Sequence, residues 1–79
     1  MTTTAAQVRN SIRIALKEMG EPCPAYRARC ANEVHRLGQE LADLGRAVLA
    51  DTTATRFRRS LAEIDVRDGL TFMEMEVAA

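Results

Sequence analysis

Apolar residues return along the start of the chain at steps of three and four. Val8, Ile12, Ala15, Leu16 and Met19 make one stripe, the period of an amphipathic helix. Ahead of it, Thr4-Ala5-Ala6-Gln7 has the spacing of a capping box, in which Thr4 and Gln7 satisfy each other's orphan amides. Gly20 follows at the C′ position. The pattern predicts a first helix over about 5–19, with Arg9, Arg13 and Lys17 as a basic ridge beside the apolar stripe.

Glu21-Pro22-Cys23-Pro24 reads as a short, stiff connection. Pro24 suits the first turn of a helix, where its missing amide would have no partner. A second helix, over about 24–50, is predicted from Cys30, Val34, Leu37, Leu41, Leu44 and Val48, which alternate steps of four and three. This heptad seam is too short for a coiled-coil rod. It is a packing surface, for another helix of the chain or for a second copy in a homodimer.

Gly38 and Gly45 interrupt that helix, each at a cost of about 1 kcal/mol relative to alanine. With Val34 at position a, both fall at e, on one flank of the seam, while Glu33 and Glu40 fall at g on the other. Small residues on a flank let another backbone approach closely. Val34, Leu37, Gly38, Leu41, Leu44, Gly45 and Val48 are therefore the expected helix-packing or dimer seam. The competing reading has Gly45 cap a shorter helix.

Asp51-Thr52-Thr53 offers three N-caps in a row. A short third helix over about 53–63 is predicted, with Ala54, Phe57 and Leu61 turned inward. Beyond it the period changes. Ile64-Asp65-Val66-Arg67 alternates, and Asp68-Gly69 is a type I′ turn signal. In the hairpin this predicts, over about 64–77, Ile64, Val66, Met73, Met75 and Val77 share one face and Glu74 and Glu76 the other. The alternative runs the third helix through Val66 and lets Gly69 cap it. The expected fold is mainly α, in one small domain over residues 1–79: an antiparallel helical hairpin and a third short helix, closed by a C-terminal β-hairpin or strand.

Composition narrows the function classes. A chain of 79 residues, 47% apolar but with only Tyr26, Phe57 and Phe72 aromatic, packs helices closely and does not enclose a large pocket. Its formal net charge is zero, unlike a protein that works mainly as a nucleic-acid clamp. The charge is nonetheless dipolar. Residues 1–17 hold Arg9, Arg13 and Lys17 and no acid, whereas residues 60–79 hold five acids against Arg67 alone. No apolar run is long enough for a membrane span, and the first residues lack the regions of a signal peptide, so a cytoplasmic setting is expected.

Candidate chemistry is sparse. His35, the only histidine, falls one position off the seam and reads as a solvated surface residue. Cys23 between two prolines reads as an inert thiol, and Cys30 as core. Seven residues of helical rise would hold the two sulfurs' backbones about 10 Å apart, past the ~7 Å limit for a disulfide. No phosphate loop, nucleophile elbow or zinc motif occurs. No catalytic, cofactor or metal residue is assigned, and a non-catalytic protein is expected.

What is left is binding. The expectation is a small protein-binding regulator, inhibitor or adaptor that acts by occluding another protein. Its partner-binding residues are taken to be Arg9, Arg13, Lys17, Arg56, Arg58, Arg59, Glu74 and Glu76. In size and style the chain is similar to the small inhibitors carried by phages and mobile elements, anti-CRISPR proteins among them, though no motif ties it to a family. The alternative is a small nucleic-acid-binding or transcriptional regulator that uses the Arg56-Phe57-Arg58-Arg59 cluster to grip phosphates. In the bland reading Arg59 merely pairs with Glu63 one turn on, an exposed pair worth little.

Overall fold

The computed structural model describes residues 3–75. Three helices fill it: α1 (Ala5–Glu18), α2 (Pro24–Ala50) and α3 (Arg56–Glu74). The capping box starts α1. The Thr4 amide donates to Gln7 Oε1 at 2.8 Å, and the Gln7 amide donates to Thr4 Oγ1 at 3.2 Å. At the other end Gly20 is not left-handed, contrary to the C′ expectation. Instead the last turn closes on itself, with the Met19 amide donating to Ala15 O and the Gly20 amide to Lys17 O.

Pro24 opens α2, which runs unbroken through both glycines to Ala50, so Gly45 is not a cap. Asp51 also plays a different part from the one expected. Its carboxylate accepts from the Thr53 amide at 2.9 Å and the Thr53 hydroxyl at 2.6 Å, which turns the chain after α2. Thr55 is the N-cap of α3, accepting from the Arg58 amide at 3.2 Å.

The C-terminal hairpin is not formed over the described residues: α3 passes through Asp68-Gly69 and ends at Glu74, while Glu76 and Val77 lie outside them. The physical reason is packing. An isolated two-stranded hairpin is marginal in water. As a helix, the same segment puts Ala62, Val66, Gly69 and Met73 at i, i+4, i+7 and i+11, one continuous face. That face meets Gly38, Ala42 and Gly45 of α2. A methyl built on Gly38 would lie 2.8 Å from Gly69 O and 2.9 Å from Phe72 Cβ. One built on Gly45 would lie 2.7 Å from Ala62 O, and one on Gly69 2.5 Å from Gly38 O. Backbone therefore meets backbone, and Gly69 serves as a small residue in a helix crossing, not as a turn former.

Helices α1 and α3 each run antiparallel to α2, on adjacent flanks of it. The core lies between α1 and the first part of α2, where Val8, Ile12 and Ala15 pack against Val34, Leu37 and Leu41. Phe72 of α3 and Met75, the C-cap that follows α3, close it from the side. His35 is half-buried and not fully solvated: its Nε2 lies 2.6 Å from Met75 O. Cys30 is buried and Cys23 exposed. Among the described residues no helix is long and apolar enough to cross a membrane.

The first two helices differ greatly in length. At 1.5 Å per residue, α1 with 14 residues spans about 21 Å and α2 with 27 about 40 Å. The body is correspondingly elongated, 46 × 25 × 15 Å. Ala5, in the first turn of α1, and Leu44 of α2 each pack against the edge of the core. Past that level only α2 and α3 continue.

Candidate protein-docking interface

Phe57, Leu61, Ile64 and Asp68 follow one another at four-, three- and four-residue steps, so they form one stripe along α3. Asp68 fixes the direction in which the stripe points. Arg9 of α1 donates to Asp68 Oδ2 at 3.0 Å and to Asp65 Oδ1 at 2.7 Å and 3.2 Å. The stripe therefore lies toward the side of α3 that meets α1, with Ile64 next to the Arg9 contacts and Leu61 and Phe57 farther along α3, toward its N-terminus.

The described residues leave them open to solvent. Phe57 is 71% exposed, Leu61 46% and Ile64 40%. This corrects the expectation that Phe57 and Leu61 turn inward; Ala62 is the buried residue there. On α2 the heptad seam continues past Leu44 to Val48, which is half-buried where Leu41 is fully buried. Val48 thus continues the core-facing row of α2 past Leu44, and Leu61, at helical steps from Asp65 and Asp68, continues the row of α3 that meets Arg9.

The charges around this tip are uneven. Arg59 folds back onto the end of α2, donating to Leu49 O at 3.3 Å and Asp51 O at 2.9 Å, where a cation complements the last carbonyls. It does not pair with Glu63. Arg56 and Arg58 are exposed, and no carboxylate of the described residues reaches ion-pair distance of either. The first turn of α3 contains no acid. Asp51 is the acid near it. Hydrogen bonds from the Thr53 hydroxyl and amide hold its carboxyl below the usual range, and the charges of Arg58 and Arg59 add to this.

The other residues proposed for partner binding are dispersed. Arg9 is taken up by Asp65 and Asp68, whose hydrogen bonds raise its already high pKa. Arg13 donates to Asn10 at 2.6 Å. Lys17 and Glu74 are exposed, and Glu76 lies outside the described residues. The seam residues Val34, Leu37, Gly38, Leu41 and Gly45 are buried within the chain, with Leu44 half-buried. A second surface feature is an open groove of about 400 Å³ between α1 and α2, lined by Ile14, Tyr26, Arg29 and Leu37. There the Tyr26 hydroxyl donates to the Glu18 carboxylate, and that hydrogen bond pushes the phenol up to about 12.

No protein-family model matches the chain, and neither does any curated protein or solved structure.

Proposed function

We propose that this protein is a small protein-binding module, a regulator, inhibitor or adaptor that acts by occlusion, and that the α2–α3 tip is its contact surface. Phage-borne inhibitors of anti-CRISPR type are one instance of that class. One observation carries the reading: Phe57, Leu61 and Ile64, at helical steps along α3, stay exposed to solvent beyond the core. Single exposed apolar residues are ordinary, but three on one stripe, one of them an aromatic, mark an interaction site. Aromatic and arginine side chains are the usual hot-spot residues, and Arg56 and Arg58 flank Phe57. The nucleic-acid alternative is weakened because Arg59 is spent on α2 and Arg9 on α3.

The test is a comparative affinity capture from a host lysate with the wild type, Leu61→Glu and a groove control, Ile14→Glu. The expected outcome is a protein retained by the wild type and by Ile14→Glu and lost with Leu61→Glu. Retention by Leu61→Glu would overturn the reading, as would recovery of nucleic acid alone in a salt-sensitive manner.

A further inference from the structure

The shape of the tip, together with its charge, says what kind of partner it fits. We infer that the tip accepts an amphipathic helix laid along the line that α1 vacates, with carboxylates at the end that meets Arg56 and Arg58. This rests on the docking reading above and commits it to one occupant.

The helical form follows from the groove. Over its inner half this face is covered by a helix: Val8 and Ile12 of α1 pack with Val34, Leu37 and Leu41 of α2, and Phe72 of α3 packs against the same cluster. The outer half keeps the same two walls, with Val48 continuing the row of Leu41 and Leu44 and Leu61 continuing the row of Asp68 and Asp65. A helix with apolar residues at i, i+3 or i+4, and i+7 matches such rows. Among the described residues there is no strand, so no sheet edge invites an extended peptide. The length of the site is set by the part of α2 that follows Leu44, six residues to Ala50 or about 9 Å, somewhat under two helical turns.

The acidic end follows from electrostatics. Cations at a helix N-terminus face the positive end of its dipole and are disfavoured there. Yet Arg56 and Arg58 stand in the first turn of α3, with no acid in that turn and no ion-pair partner among the described residues. Asp51 offsets them only in part: its charge acts on Arg58, but its hydrogen bonds go to Thr53 and it forms no ion pair with Arg56 or Arg58. Carboxylates from a partner would relieve this repulsion and meet two free guanidinium groups. The other acids on this side of α3, Asp65 and Asp68, are already held by Arg9, so the far end of the site is electrically quiet. The polarity of the partner helix is thereby set: acidic at the tip and neutral toward α1.

Two labelled probes test this with the intact chain: a Leu-striped peptide of about 14 residues, the length an isolated helix needs, with glutamates at one end, and its twin with lysines in their place. Binding is read by fluorescence anisotropy. The acidic peptide is expected to bind about tenfold tighter than the lysine twin, as two exposed ion pairs and the dipole allow. Arg56→Glu with Arg58→Glu should reverse the order, and Leu61→Glu should abolish both. Phe57→Ser, at the more exposed position, repeats that loss if Leu61→Glu fails to fold by circular dichroism. Equal binding of the twins would overturn the acidic-end inference. So would sedimentation showing that the tip is occupied by a second copy, dissociated by Leu61→Glu. If neither peptide binds while capture of a lysate protein is still lost with Leu61→Glu, the docking face stands and the acidic helix falls.

Discussion

Gly38 and Gly69 sit across one contact, and a methyl on either tests the α2–α3 crossing. A Cβ at position 69 would lie 2.5 Å from Gly38 O, 2.7 Å from the Ala42 amide nitrogen and 3.0 Å from Ala42 Cβ. Two of those atoms are backbone, so no rotamer change relieves the clash and the helices must move apart. Overpacking costs typically 1–3 kcal/mol, and a contact that cannot relax belongs at or above the top of that range. Alanine returns about 1 kcal/mol in helix propensity. The net loss for Gly69→Ala is then about 2 kcal/mol, which lowers Tm by roughly 8–16 °C in a domain of this size. Gln39→Ala, on the exposed face of α2, should stay within about 0.5 kcal/mol of wild type. Urea and thermal unfolding followed by far-UV circular dichroism give these values. Because a left-handed turn at Gly69 would also reject alanine, the double variant decides. In the helix crossing, Gly38→Ala already separates the backbones, so Gly38→Ala with Gly69→Ala should cost less than the sum by at least about 0.5 kcal/mol. Strict additivity, or a rise in Tm for either single variant, would refute the crossing.

Three further outcomes check separate parts of the structure. The chain has a single tyrosine, so absorbance titration reports Tyr26 directly: its inflection should lie near 12 and fall back toward 10 in Glu18→Gln. Since the folded pKa is raised, the Tyr26–Glu18 contact contributes below pH 10 and is lost as pH rises through about 12. Arg59→Ala removes two hydrogen bonds to the carbonyls that end α2 and should cost about 1 kcal/mol in urea unfolding, whereas Arg58→Ala should be neutral. Arg9→Met frees Asp65 and Asp68 and should loosen α1, at a cost of about 1 kcal/mol after allowance for partial exposure, seen as faster amide exchange in α1.

The first two helices were legible because their signals are local. A capping box, a proline at the first turn and a regular apolar stripe each fix one boundary or one face without reference to the rest of the chain. The glycine edge of α2 was legible for the same reason, since a seven-residue repeat is a statement about one helix. What it packs against was not. Asp68-Gly69 carries a strong turn signal, and four alternating residues before it fit a strand. The competing signal, Ala62, Val66, Gly69 and Met73 at helical steps, counts for more only once Gly38 and Gly45 are known to need a partner as small as themselves.

The docking face shows the same limit. Phe57 and Leu61 read as inward because apolar residues on a short helix are expected to meet the core. Whether they do depends on how far α1 reaches along α2, which no single segment encodes. The contacts of His35 with Met75 O and of Arg59 with the end of α2 likewise exist only because α3 has its full length and direction.

The chain contains no tryptophan, so Phe57→Trp places a single reporter at the centre of the claim that the tip is an open protein-binding face. In the dilute free protein its emission should be red-shifted and readily quenched by acrylamide; with the captured partner added, it should shift to the blue and become protected. Emission already blue and shielded in the dilute free protein, or quenching unchanged in the complex, would contradict the account.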